Sequence, residues 1–190
     1  MAMQRKTGGG QNWSRARRLK AVRLAALVAL ALVVAYLQRG RGARHADPGA
    51  PFPPSVSGRA ELIDGDSLRV GGHEVRLKGI DAPEGRQTCR KNGASWRCGD
   101  AARDALGRMI GGEAITCSVS ERDRFGRLLA TCRIGDRNLN AAMVAAGMAV
   151  AYGSYEREQA AAKAERRGIW DAEFQMPRQW RDENNGSDVR

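Results

Sequence analysis

Apolar and polar positions alternate with a period of two over residues 59–63, 67–70 and 74–80, the pattern of half-buried strands. Asp64-Gly65-Asp66 and Gly71-Gly72 separate these runs. Such residues reverse a chain readily, because glycine takes positive φ and aspartate bonds its own backbone. A β-meander is predicted. The period then changes. Ala102, Leu106, Met109 and Ile110 share one helical face within 99–110, and Gly111-Gly112 ends that helix. Segments 114–119 and 128–134 read as two further strands. Segment 139–146 reads as a short helix stopped by Gly147, and 154–167 as a helix stopped by Gly168. Five strands with interspersed helices predict an α+β domain built on a small barrel.

Upstream the pattern is of another kind. Residues 24–37 are uniformly apolar, and counting back to Ala21 gives 17 residues, the lower limit of the ~17–25 that span a bilayer. Arg15, Arg17, Arg18, Lys20 and Arg23 stand before this run and favour a cytoplasmic N-terminal flank. The run has no polar face to present to solvent, which argues against a buried core helix. Residues 1–20 are therefore read as a basic cytoplasmic tail and 21–37 as a signal anchor or a cleaved signal peptide. Ala29-Leu30-Ala31 has the small-x-small form but lies inside the run, while Tyr36, Leu37, Gln38 and Arg39 fill the place a cleavage site needs, which favours the anchor. Residues 38–57 carry Gly40, Gly42, Gly49, Pro48, Pro51, Pro53 and Pro54 and read as a flexible linker. The folded domain is expected over 58–181, followed by a disordered tail at 182–190.

Charge changes this picture less than its total suggests. The net charge is +11, but ten of the 32 Lys and Arg residues precede residue 58, where Asp47 is the only acid. The domain keeps 22 basic and 20 acidic residues. Its bulk charge is no argument for nucleic acid, so phosphate recognition must rest on a few placed arginines. The four cysteines all follow the apolar run, and an even set in an exported domain reads as two disulfides. A turn centred between Arg124 and Phe125 sets Cys117 opposite Cys132, and Cys89 with Cys98 then closes a short loop. Zinc is disfavoured, since no Cys-x-x-Cys occurs and His73 is the domain's only histidine.

The same scarcity of histidine removes His-pair, His-metal and Ser-His-Asp chemistry. What remains is carboxylate, arginine and a hard cation. Asp64 and Asp66 lie in a tight turn, Arg76 and Asp81 flank the third strand, and Glu84 ends it after Pro83. Converging carboxylates make an oxygen-rich site suited to Ca²⁺, arginine forks onto phosphate oxygens, and a carboxylate outside the metal's grip can take a proton from water. These are the parts of metal-assisted phosphodiester hydrolysis. Singly, each has a plainer reading: Asp-Gly-Asp as a turn, Arg127 as a solvated hairpin residue.

In combination they are specific. The runs Ile63-Asp64-Gly65-Asp66-Ser67, Val75-Arg76-Leu77-Lys78-Gly79-Ile80-Asp81-Ala82-Pro83-Glu84 and Asp123-Arg124-Phe125-Gly126-Arg127 closely resemble the staphylococcal-nuclease family. Gly168-Ile169-Trp170 resembles its C-terminal signature, and the likeness covers about residues 58–170. The resemblance implies an OB-fold, a five-stranded barrel with about three helices. It implies that Asp66 and Asp81 bind Ca²⁺ with Asp64 in support, that Glu84 is the general base, and that Arg76 and Arg127 hold the phosphate. It implies cleavage of DNA and RNA at the 5′-oxygen–phosphorus bond, leaving 3′-phosphates. Ala82 replaces a frequent Thr whose metal contact is through the main-chain carbonyl. Phe125 replaces a frequent Tyr and removes a hydroxyl near the phosphate, while Arg124 keeps a positive charge for substrate. Tyr152 and Tyr155 are candidates for stacking on a base or for packing.

The rival reading is a catalytically weak module that binds nucleic acid or protein in the cell envelope. The resemblance disfavours it, because Arg76, Glu84 and Arg127 are all present. The charge asymmetry about 24–37 predicts an N-in, C-out anchor or secretion, with the domain on the periplasmic or extracellular side. Protease added to intact spheroplasts is expected to remove the domain; full protection inside the cytoplasm would refute export.

Overall fold

The computed structural model describes residues 51–184. The tail, the apolar segment 21–37, most of the linker and residues 185–190 lie outside them. The elements are β1 (Ser55–Leu62), β2 (Ser67–Val70), β3 (His73–Leu77), β4 (Ile80–Asp81), β5 (Cys89–Lys91), β6 (Ala94–Trp96), α1 (Cys98–Ile110), β7 (Ala114–Arg122), β8 (Leu128–Ile134), β9 (Arg137–Asn138), α2 (Leu139–Ala145), β10 (Val150–Ala151), α3 (Glu156–Ala164), a 3₁₀ turn (Gly168–Asp171) and α4 (Pro177–Asn184). Antiparallel pairs run in the order β3-β2-β1-β7-β8, and β3 pairs with β8 in parallel. That last pairing closes a mixed five-stranded barrel.

The alternation seen in the sequence is the reason the barrel has an inside. Val70, Leu68, Val75, Leu77, Ile115, Leu128 and Ala130 are all buried, and Ala102, Leu106 and Ile110 of α1 and Met143 and Val144 of α2 join the same core. Each such aliphatic side chain contributes roughly 1.5–3 kcal/mol on burial. Asn140 is the polar member of this interior. Its side-chain carbonyl accepts from the Cys132 N–H at 3.0 Å, and its amide donates to the carbonyls of Lys78 and Ala130 at 2.9 and 3.0 Å. It satisfies backbone groups where β3 ends beside β8.

Four differences from the expected elements have local causes. The meander's third strand is broken rather than continuous over 74–80. The Lys78 N–H donates to Ala130 at 2.9 Å, and Gly79 takes φ +81°, so the chain turns before β4 pairs with β10. The segment between Cys89 and Cys98 is a β5–β6 hairpin, not a plain loop. Asn92 and Gly93 both have positive φ, as a two-residue turn of matching twist requires. β1 begins at Ser55, inside the expected linker, because Ser55 to Arg59 pair with β7. The helix α4 reaches Asn184, into the expected tail, and raises the helix count from about three to four among the described residues.

Both expected disulfides are present. Cys117 faces Cys132 across β7 and β8 and is bonded to it, and Cys89 is bonded to Cys98. Closing a loop of about 15 residues restricts the unfolded chain by roughly 3 kcal/mol. The double variant Cys117→Ala/Cys132→Ala is expected to lose at least about 3 kcal/mol in urea unfolding, measured against the wild type under non-reducing conditions.

Candidate active site

The site grows from the turn between β1 and β2. Asp64 Oδ1 accepts the N–H groups of Asp66 and Ser67 at 3.0 and 2.7 Å, which fixes the turn and spends that oxygen inside it. Gly65 is held closely: a Cβ there would stand 2.7 Å from Ala102 Cβ and 2.8 Å from Ala82 Cβ. Packing of the turn on α1 therefore demands glycine, and a small residue at 82. Asp66 is left pointing inward at 2% exposure. Its Oδ1 accepts from the Ser67 hydroxyl at 3.0 Å and its Oδ2 from the Ala82 N–H at 2.9 Å.

Arg76 joins the two aspartates. Its Nη2 lies 2.9 Å from Asp66 Oδ2 and 2.6 Å from Asp81 Oδ1. In an unbroken strand residues 76 and 81 would point to opposite faces. The turn at Gly79 is what lets them meet. Asp81 is 3% exposed. Burial pushes the Asp66 carboxyl up to about 7, with Arg76 and the Ala82 N–H pulling the other way and Asp64 and Asp81 adding to the rise.

Glu84 is fixed through its neighbours. The Glu84 N–H donates to the Gln87 side chain at 3.1 Å, and the Gln87 N–H returns a bond to the Glu84 carbonyl at 2.7 Å. Gln87 is fully buried and donates onward to the Gln175 carbonyl at 2.7 Å. A Cβ on Gly99, in the first turn of α1, would lie 1.8 Å from the Glu84 carbonyl oxygen, so only glycine lets α1 approach this turn. Arg181 of α4 then closes the group, reaching Asp81 and Glu84.

Arg127 stands at the entrance to β8. Leu128 pairs with Val75 and Leu129 with Arg76, so Arg127 has the parity of Arg76's partner and belongs to the same outer face. Its guanidinium is turned onto Asp123, Nε to Oδ2 at 2.8 Å. Asp123 Oδ1 also accepts the N–H groups of Phe125 and Arg127, both at 2.9 Å. Phe125 is 52% exposed, with the guanidinium groups of Arg124 and Arg127 at 4.7 and 5.4 Å from its ring centre. Tyr152 is 61% exposed, one residue past the β10 pairing that holds β4. Tyr155 packs against the core and beside Gly79, and its hydroxyl accepts from the Asn138 amide at 3.3 Å.

The structure thus gathers Asp66, Arg76, Asp81 and Glu84 into one cluster, with Asp64 shaping its turn. Arg124, Arg127 and Phe125 form a second group on the adjoining hairpin. A profile described as Staphylococcal nuclease homologue matches residues 74–172. The chain belongs to the staphylococcal nuclease family.

Its relatives agree. It is 36% identical over 135 residues to the succinoglycan biosynthesis protein ExoI of Rhizobium meliloti, an alignment that covers 67% of this chain and 70% of that protein. An uncharacterized endonuclease of Escherichia coli is 32% identical over 139 residues, 66% of this chain and 85% of the relative. The probable staphylococcal-like nuclease CAN1 of Oryza sativa subsp. japonica is 30% identical over 131 residues, 65% of this chain and 37% of the relative. This staphylococcal nuclease family member is accordingly a nuclease, a hydrolase of phosphodiester bonds. Two contributors to its site were missed in the sequence. Gln87 and Arg181 sit in no motif, and only the folded chain brings them to Glu84.

The raised Asp66 carboxyl has a consequence for the metal-free protein. The folded state holds this proton more tightly than the unfolded chain does. Its contribution to stability is therefore present at low pH and lost as pH rises from the ordinary value of 3.8 to about 7. Urea unfolding in chelator should show the wild type losing stability across that window relative to Asp66→Asn. Parallel pH dependences would contradict the assignment.

Proposed function

We propose that this nuclease hydrolyses DNA or RNA in a Ca²⁺-dependent reaction outside the cytoplasm, with Asp66 and Asp81 as metal carboxylates, Glu84 as general base and Arg76 and Arg127 on the phosphate. The observation that carries this reading is the convergence of three carboxylates and Arg76 at the barrel rim, two of the carboxylates almost fully buried. The strand order, with β3 joined in parallel to β8, supports reading the barrel as an OB-fold, an architecture used for nucleic-acid chains.

The donor chemistry fits Ca²⁺. The buried side chains are hard oxygens with no soft ligand among them, as an alkaline-earth ion requires. Among the described residues no three His, Cys, Asp or Glu side chains form a ready cage, so Asp66 and Asp81 would hold the ion together with the Ala82 carbonyl and oxygens of water and substrate. Bound there, Ca²⁺ supplies a positive charge against the phosphoryl oxygens.

The rest of the reaction belongs to the chain. Glu84 accepts a proton from the attacking water, whose oxygen bonds to phosphorus as the bond from phosphorus to the 5′-oxygen breaks; the 5′-oxygen leaves as a hydroxyl, taking a proton from solvent, and the phosphate stays on the 3′ side. Arg76 is already fixed by two carboxylates and donates toward the phosphate without reorganising. Arg127 comes from the neighbouring strand and needs only to turn from Asp123. Charge grows on the phosphoryl oxygens in the transition state, so these donors act chiefly on turnover. Phe125, with two guanidinium groups near its ring, and exposed Tyr152 are candidates on which bases stack; Tyr155 contributes through packing beside Gly79. Two disulfides fit an oxidising compartment, as does the apolar segment 21–37, read as an anchor or signal peptide.

The test is release of acid-soluble nucleotides from DNA and RNA with Ca²⁺ and with excess chelator. Activity is expected with Ca²⁺ and none with chelator; full activity in chelator would remove the metal role. Arg76→Ala, Arg127→Ala and Glu84→Gln are each expected to lose at least ~10²–10³ in kcat while remaining folded. Arg127→Lys should fail to restore activity, because an ammonium cannot fork onto two oxygens. Near wild-type turnover in a folded Arg127→Ala enzyme would return Arg127 to a plain hairpin role.

A further inference from the structure

Arg181 is the site residue for which this reaction has no use. It lies 100 residues from Asp81 and 97 from Glu84 in sequence, yet its Nη1 donates to Asp81 Oδ1 at 2.8 Å and to Glu84 Oε1 at 2.5 Å. Its Nη2 donates to Asp81 Oδ2 at 3.1 Å. With Arg76 on Oδ1 at 2.6 Å, both oxygens of Asp81 are engaged by guanidinium groups. A cation bound to Asp81 would sit within a few ångströms of the Arg181 charge in a largely buried site, where like charges repel strongly. The Glu84 oxygen that Arg181 holds is also blocked from taking a proton.

The charges of the cluster point the same way. With Arg181 docked, three carboxylates face two guanidinium groups. Exchanging Arg181 for a divalent ion adds one positive charge beside these carboxylates. The element that carries Arg181 buries little of itself. Pro177 is the only buried residue of α4, whereas the segment before it is firmly tied. Arg90 and Glu173 exchange backbone bonds at 2.9 and 2.8 Å, and buried Gln87 holds the Gln175 carbonyl. The strap is anchored at 173–175, and beyond it Arg181 holds α4 to Asp81 and Glu84.

We propose that Arg181 is a tethered counter-cation that occupies Asp81 and Glu84 in the metal-free enzyme, so that α4 must undock before Ca²⁺ enters and the general base is freed. This rests on the reading of Asp81 as a metal ligand and Glu84 as base. Metal and strap are then competing ligands of one carboxylate pair, and their effects on each other are reciprocal.

The experiment is Ca²⁺ titration by calorimetry on the full-length chain without substrate, for wild type, Arg181→Ala, Arg181→Gln and Asp81→Asn. Both Arg181 variants are expected to bind Ca²⁺ about tenfold more tightly, within the usual range of such coupling, and Asp81→Asn to lose binding. In wild type, amide hydrogen exchange over 177–184 should accelerate on adding Ca²⁺, with the barrel strands unchanged. Equal or weaker Ca²⁺ binding by the Arg181 variants, or slower exchange in α4 with Ca²⁺, overturns the strap while leaving the metal site standing. No Ca²⁺ binding by wild type and Arg181 variants alike, or undiminished binding by Asp81→Asn, overturns the site reading and the strap with it.

Discussion

Two aspartates buried to within a few per cent of complete exclusion from water are the constraint around which this molecule is arranged. A buried carboxylate costs several kcal/mol unless it is hydrogen-bonded and balanced by charge. Arg76 balances both, the Ala82 N–H and Ser67 hydroxyl complete Asp66, and an adjoining chain segment brings a second guanidinium to Asp81. A core built for stability alone would put aliphatic residues here. In the proposed reaction this cluster is a place kept ready for positive charge, supplied first by the chain's own arginines and then by the metal ion.

Holding that cluster falls to parts that carry no chemistry themselves. Parallel pairing of β3 with β8 places Arg76 and Arg127 on neighbouring strands with one facing. Asn140 seals the backbone where β3 leaves the barrel, and the turn at Gly79 changes the parity that would have kept Arg76 and Asp81 apart. Gly65 and Gly99 permit approaches that any Cβ would forbid. The buried disulfides join β7 to β8 and β5 to the first residue of α1.

Names among the relatives range from polysaccharide biosynthesis to endonuclease. Chains similar in sequence thus carry different names, as expected when chemistry resides in a few side chains on a common scaffold. Two features border the site: Phe125 with the guanidinium groups of Arg124 and Arg127 near its ring, and the C-terminal helix α4, which follows the matched region at residue 172. Both border the cluster without belonging to its carboxylates, so both can set affinity and access while the reaction itself is unchanged.

Local rules in the sequence determined a good deal. Period-two alternation gave β2 and β8 their bounds, and glycine pairs placed the ends of α1 and the β2–β3 turn, because side-chain direction and φ are decided within a few residues. Cys117 and Cys132 were named as partners by supposing a turn centred between Arg124 and Phe125; the hairpin is centred on Phe125, and the bulge between Val119 and Glu121 is what sets the two cysteines opposite each other. The motif residues Asp66, Arg76, Asp81 and Glu84 could be named in advance. Their meeting was expected from the family resemblance and not from the strand pattern, for an unbroken strand would have separated Arg76 from Asp81. The Asn92-Gly93 hairpin carried a local signal that went unused, and the grip of Gln87 on Glu84 carried none. Arg181 is the clearest case. Nothing near position 181 hints at Asp81, and contact across 100 residues is decided only when the folded barrel and the α4 strap bring opposite charges into one poorly solvated place.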